Sequence, residues 1–421
     1  MLATKFHRGG SDYRAAAQAL GEVTSSRLDL EGLTSGVLEV LVAQLPLKRA
    51  GLLLTHGTRR YCAARAHGLD QQTWQDFCRT WAEEVLIVMR PARSEMNAEY
   101  APPRIGDALR AAEFGYLYPL RSRDTLVGVL FVGEKQSESA FQNADFEFLG
   151  AMASQIAGDV ENAFLYEELA EQERMKHELQ IARQIQMASL PQFTPQVRGL
   201  DVAGVSIPAL EVGGDYFDYL DGRPDRLTVM VGDVSGKGTS AALHMSRLQG
   251  IVRSLHAFDL SPRELFSRTN QLISRDLERR SFVTALGGFF DTERRVMVLA
   301  RAGHLPLYLY RHRTGEVERV LPRGLGFGLS SRPTFDLELE ERTLSYAPGD
   351  VFLFVTDGVT ECQNARGEFY GEDRLRDALR TLAPREPSAA ALRDGLEADV
   401  RRFVGDTDAF DDQTIVVVRA L

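Results

Sequence analysis

At 421 residues the chain is too long for one ordinary hydrophobic core, which points to two domains and a connector. Apolar residues make up 44% and charged residues 26%, which excludes a disordered or fibrous chain, and 59 acidic against 49 basic side chains leave a formal net charge of −10, which argues against nucleic acid as a partner. The three cysteines, Cys62, Cys78 and Cys362, show no CxxC spacing, so neither a disulfide framework nor a structural zinc site is expected.

No apolar run is long enough to span a membrane or to serve as a signal peptide. The expectation is a cytoplasmic protein with no membrane partner. Residues 1–24 read as an N-terminal extension. Leu30, Leu33, Val37, Leu38 and Leu41 then recur at helical spacing, and Ala50 to Thr55 reads as a buried strand. Tyr61 to Ala66 is a second strand, Gln72 to Val85 an amphipathic helix carrying Trp74, Phe77 and Trp81, and Pro91 to Arg104 a proline-containing loop. Strands follow over Gly115 to Leu120 and Leu126 to Gly133, and Phe141, Phe148, Leu149 and Met152 open a helix that runs past Tyr166.

This order, with the runs Tyr118-Pro119-Leu120, Leu126-Val127-Gly128-Val129-Leu130 and Asn162-Ala163-Phe164-Leu165-Tyr166, resembles a GAF sensor domain over residues 25–165. The resemblance implies an α/β/α sensor sheet but names no ligand. Cys62 and Cys78 are conceivable chromophore or redox anchors and His67 a haem ligand. Nothing around them supplies a specific site, so the favoured reading is ordinary thiols and an ordinary histidine.

From Glu161 to Leu190 the composition turns to Glu, Gln, Arg, Lys, Ala and Leu without Gly or Pro, and the run stops at Pro191. Residues 166–192 therefore read as a connecting helix. Leu165, Leu169, Met175, Leu179, Ala182 and Ile185 keep three-or-four spacing, interrupted at Gln172. A coiled coil joining two copies and a single helix packed on its own domains both remain open.

Beyond residue 193 short apolar runs end in Asp beside Gly. They are Val212-Gly213-Gly214-Asp215-Tyr216, Val231-Gly232-Asp233-Val234-Ser235-Gly236-Lys237-Gly238, Val355-Thr356-Asp357-Gly358 and Asp411-Asp412-Gln413-Thr414 before the last strand. One such Asp is usually a turn residue. Four gathered carboxylates would repel one another unless cations compensate, and hard oxygen donors suit magnesium or manganese.

With Ala302-Gly303-His304-Leu305-Pro306, these motifs in this order resemble the PPM superfamily of metal-dependent protein phosphatases, in its bacterial SpoIIE/RsbU-like branch, over residues 178–421. The resemblance implies an α/β/β/α sandwich, hence an α+β chain of two domains, and two Mn2+ or Mg2+ ions. It implies that Asp233 bridges the ions, with the Val234 carbonyl on one and Asp357 and Asp411 on the other, while Asp215 holds metal-bound water. The doublet leaves Asp412 as an alternative ligand to Asp411. A water activated between the ions would attack phosphorus in line. By the same resemblance the substrate is a phosphorylated STAS-type anti-sigma-factor antagonist.

Gly213, Gly214, Gly232 and Gly358 are expected to leave room for metal waters or for the turn. Lys237 is either a phosphate contact or a solvated surface lysine. Ser235 stands where wider relatives carry an Asp-Gly-His run, so the general acid is unassigned. His304 is either a substitute proton donor or a turn histidine, and Arg301 departs from the branch's usual Asn.

Gly213-Gly214-Asp215-Tyr216-Phe217 lacks the acidic pair of a diguanylate cyclase, and Gly232 to Gly238 lacks the spacing of a P-loop. The remaining alternative is a catalytically inactive relative acting as a ligand-responsive binding module.

Overall fold

The computed structural model describes residues 30–56, 63–275, 277, 281–407 and 410–421. The N-terminal extension and Cys62 lie outside these residues. The chain divides into two compact units between Met175 and Lys176.

In the first unit β1 (Ala50–Leu54), β2 (Ala63–His67), β3 (Met96–Asn97), β4 (Phe114–Ser122) and β5 (Thr125–Gly133) form an antiparallel sheet in the order β2-β1-β5-β4-β3. Strand alternation sends consecutive side chains to opposite faces. Leu52, Leu54, Leu130 and Val132 pack with α1 (Leu30–Gln44) and with Leu149, Met152 and Ile156 of a later helix. Leu53, Val129 and Phe131 pack on the other face with Trp74, Cys78, Val85 and Met89 of α2 (Gln71–Met89) and with Ile105 and Leu109 of α3 (Pro103–Ala111). The unit thus has the α/β/α layering expected.

The segment expected as a loop over Pro91 to Arg104 holds β3, a turn of 3-10 helix and the start of α3. The Asn97 side chain accepts the Glu99 amide to cap that turn, and Pro103 supplies the fixed φ suited to a first helical residue. Cys78 is buried and its thiol is pushed up to about 12 by burial, which makes it an inert core residue, whereas His67 lies exposed on β2.

Helix α4 (Asn143–Ser189) runs without a break through the expected connecting segment. Among the described residues no helix is long and apolar enough to cross a membrane.

The second unit has two five-stranded antiparallel sheets. The first has the order β13-β10-β9-β8-β7, from β7 (Tyr216–Arg223), β8 (Arg226–Val234), β9 (Val283–Asp291), β10 (Val296–Ala302) and β13 (Glu341–Ser345). The second has the order β12-β11-β14-β15-β6, from β6 (Leu200–Ile207), β11 (Leu307–Arg311), β12 (Glu316–Val320), β14 (Val351–Val355) and β15 (Gln413–Ala420). Phe352 and Phe354 face the first sheet. Phe352 meets Phe290 edge-on with centroids 5.0 Å apart, and Phe354 lies so close to Gly288 that an added Cβ would stand 2.7 Å from its ring. Val351, Leu353 and Val355 face outward onto α9 (Gly371–Leu382) and α10 (Ala389–Val404). Helices α5 (Thr239–His256) and α6 (Pro262–Ile273) cover the first sheet, burying Met245, Leu248, Val252 and Phe266. This is the α/β/β/α sandwich expected; the short helices α7 (Arg332–Glu338) and α8 (Asp357–Thr360) lie in its connections.

Candidate metal centre

Antiparallel pairing fixes where the acidic motifs fall. Asp215 precedes β7 and Asp233 lies near the end of β8, and Tyr216 pairs with Gly232, so both are at one end of the first sheet. Asp357 follows β14 and Asp411 and Asp412 precede β15, with Val355 paired to Ile415, which puts all three at one end of the second sheet. The two ends coincide. The Asp215 carboxylate accepts the hydroxyls of Thr356 at 2.7 Å and Thr414 at 2.6 Å, both on the opposite sheet.

Asp215 is buried, and its carboxyl stands well above the usual range because of that burial and of Asp233 beside it. Asp233 is raised to about 8, first by burial and then by Asp357 and Asp411, while Lys237 acts in the opposite sense. Asp357 is raised as well, by burial and by Asp411. Asp215, Asp233, Asp357 and Asp411 therefore share one electrostatic site.

Asp412, the alternative to Asp411, has a different task. One oxygen accepts the Ala209 amide at 2.8 Å and the other the amides of Gly214 at 2.6 Å and Asp215 at 3.4 Å. It is buried and pins the loop that carries Asp215. Asp411 is more exposed; one oxygen accepts the Asp412 amide at 3.0 Å and the other pairs with Lys237, also at 3.0 Å.

The glycines are set by close packing in these loops. A Cβ at Gly213 would collide with the Asp412 carboxylate, and one at Gly358 with the Asp412 carbonyl. At Gly214 it would stand 3.1 Å from the Val234 carbonyl and 3.6 Å from Asp233, so that these two oxygens flank one residue.

His304 is buried and its pKa is lowered to about 4 by that burial. Its Nε2 lies 3.1 Å from the Val355 carbonyl, which only accepts, so Nε2 carries the proton and Nδ1 takes the Thr284 hydroxyl at 2.8 Å. Both nitrogens are occupied inside the fold, and His304 is the turn histidine rather than a proton donor. Arg301 donates to the His304 and Pro322 carbonyls and fixes the same turn.

Three partners escaped the sequence reading. Thr356 and Thr414 stood inside quoted motifs beside the Asp residues, but only the packing of the two sheets aims them at Asp215. Gln186, near the end of α4, is buried and pairs twice with Gly213: its Oε1 accepts the Gly213 amide at 3.0 Å, and its Nε2 donates to the Gly213 carbonyl at 2.7 Å.

The donors here are carboxylates and a carbonyl, a hard oxygen set that fits magnesium or manganese. Among the described residues no group of three His, Cys, Asp or Glu is already arranged to hold an ion by itself. An ion here would draw on side chains, the Val234 carbonyl and water together, as magnesium commonly does.

Residues 223–421 match the family described as Stage II sporulation protein E (SpoIIE). The chain is 28% identical over 199 residues to Phosphoserine phosphatase RsbU of Bacillus subtilis, covering 47% of this chain and 57% of that protein. It is 25% identical over 269 residues to Protein IcfG of a Synechocystis species, covering 57% of this chain and 41% of that one. The chain thus spans about half the length of these relatives. Among solved structures, the SiaA-PP2C domain of Pseudomonas aeruginosa superposes with a TM-score of 0.51 at 25% identity, covering 59% of this chain and 98% of that domain.

Two outcomes are expected in chelator. Asp412→Ala lowers the stability of the second unit by about 2 to 4 kcal/mol, because buried amides lose a charged acceptor, whereas Asp411→Ala changes it by less than about 1 kcal/mol; urea denaturation distinguishes them. Because the folded Asp233 keeps a proton that the unfolded chain releases near pH 4, metal-free stability falls as pH rises from about 4 toward 8, and Asp233→Asn flattens that slope. Melting temperatures across this range check it.

Proposed function

We propose that this chain, whose C-terminal domain belongs to the SpoIIE/RsbU-like PP2C-type phosphatases, is a metal-dependent serine/threonine protein phosphatase controlled by its N-terminal unit. The observation that carries the reading is the meeting of Asp215, Asp233, Asp357 and Asp411 at one end of the sandwich, where burial first and mutual repulsion second raise the carboxyls of Asp233 and Asp357.

Asp233, the Val234 carbonyl, Asp357 and Asp411 would hold two Mn2+ or Mg2+ ions. When bound, these would supply positive charge to the phosphoryl oxygens and acidify water for in-line attack. Asp215, fixed by Thr356 and Thr414, would orient water at the back of the site. Asp412 would keep the Gly213–Asp215 loop in register.

A phosphoserine protein as substrate follows the likeness to the Bacillus relative. Narrowing it to a STAS-type anti-sigma-factor antagonist in bacterial signalling rests on the motif resemblance alone. The first unit is read as a GAF-like sensor, supported by its antiparallel sheet with helices on both faces. Its signal would reach the site through α4, whose Gln186 grips Gly213. Leu165, Leu169, Met175, Ile181 and Ile185 are all exposed along α4, which supports pairing of this helix between two copies.

With manganese, the chain is expected to hydrolyse p-nitrophenyl phosphate and phosphoserine peptides. Asp233→Ala should lower turnover by about a hundredfold or more; full activity of that variant in chelator would sink the mechanism. Gln186→Ala should change turnover by about 5- to 150-fold at saturating manganese, the usual scale of coupling between sites. Unchanged rates with an unchanged circular dichroism spectrum would reduce the helix end to a plain cap.

A further inference from the structure

Lys237 has no part in the proposed chemistry, yet it is neither free in solvent nor aimed at an open phosphate site. Its ammonium pairs with Asp411 at 3.0 Å, donates to the Phe410 carbonyl and lies 3.6 Å from the centre of the Phe410 ring. We propose that Lys237 is a tethered rival of the divalent cation for Asp411, so that cation capture and release of Lys237 from Phe410 and Asp411 are a single event. The proposal rests on the phosphatase reading in taking Asp411 as a cation ligand.

Three observations carry it. One oxygen of Asp411 accepts the Asp412 amide and the other holds the Lys237 ammonium, so a divalent cation arriving at that second oxygen meets a like charge 3.0 Å from that oxygen, which repels it. The pair is partly exposed, with 39% of the Lys237 and 36% of the Asp411 side-chain surface open, and such pairs are weak enough for a doubly charged ion to break. The loop can also yield. Gly236 and Gly238 flank Lys237 at φ of 98° and 74°, with nothing within 4 Å of either Cβ position, so no side chain packs against the turn that carries Lys237.

The arrangement has a use in the metal-free protein. Lys237 offsets part of the repulsion on Asp233 and holds one Asp411 oxygen until a stronger cation arrives. Displaced, the ammonium gives up its contact with Phe410, a residue 77% exposed.

Isothermal titration of the full chain with manganese, without substrate, tests this. Lys237→Met should bind manganese about two- to fivefold more tightly than wild type, since it loses the rival and its like charge, and Lys237→Arg should stay near wild type. In parallel, acylation of Lys237 by acetic anhydride, read by mass spectrometry, should be slow in chelator and quicken at saturating manganese. Equal or weaker affinity in Lys237→Met, or acylation indifferent to manganese, overturns the proposal while the phosphatase reading stands. A raised KM with unaltered manganese affinity overturns it too and assigns Lys237 to the substrate phosphate. A wild-type chain that takes up no manganese overturns both.

Discussion

The C-terminal domain depends on one buried carboxylate that joins two sheets. Asp215 opens β7 in the first sheet, and Thr356 and Thr414, both fully buried in the second, donate to it. The contact is chained further. The Thr414 amide donates to the Thr356 hydroxyl at 3.0 Å, and Ser206 on β6 lies 2.9 Å from the Thr414 hydroxyl. A buried carboxylate without such partners would be severely destabilising, so the alignment of the sheets at this end follows from the need to satisfy Asp215. That alignment is what brings Asp233 opposite Asp357 and Asp411.

The same strand is held from its other side by the end of α4. The Ser189 carbonyl accepts from Gln249 at 2.8 Å and from Arg253 at 2.9 Å, both on α5. Arg253 also pairs with Asp218 at 2.6 Å, a buried residue three positions after Asp215, and Tyr216 donates to that same Asp218. With Gln186 on Gly213, the helix end is thus fastened on both sides of Asp215. A shift at residues 186–189 cannot leave β7 untouched without breaking the buried Gln186–Gly213 hydrogen bonds or the contacts of the Ser189 carbonyl to α5.

Much of this was legible in the sequence. Strand alternation and Gly-Asp punctuation pointed to the layers and the acidic residues, and the motif order pointed to the family that residues 223–421 match. The doublet Asp411-Asp412 was not resolved, because nothing local separates two identical neighbours. Extended backbone turns adjacent side chains to opposite sides, and only the position of the Gly213–Asp215 loop, some two hundred residues earlier in the chain, decides which one is buried. Gln186 was illegible for the same reason: on a helix rich in Gln and Arg, its partner 27 residues away is the only thing that marks it. The atoms that crowd Gly213 and Gly358 belong to Asp412, a neighbour that only the folded chain brings to them.

The choice of donors around the cluster has an electrostatic logic. Asp215 is satisfied by hydroxyls and Asp412 by amides, all neutral groups. The nearby arginines are committed elsewhere, Arg253 to Asp218 and Arg301 to two carbonyls. Had a guanidinium met Asp215 or Asp233, the carboxyls would be held low and the site would be charge-balanced, with little left to attract a divalent ion. Neutral donors fix the geometry of these carboxyl groups and leave their charge to be balanced by a bound cation. The Lys237 ammonium at the edge sits on a partly exposed carboxylate, where it is displaced at small cost. Rigid positioning and a demand for added positive charge are therefore compatible here because neutral groups do the positioning and leave the charge to a cation.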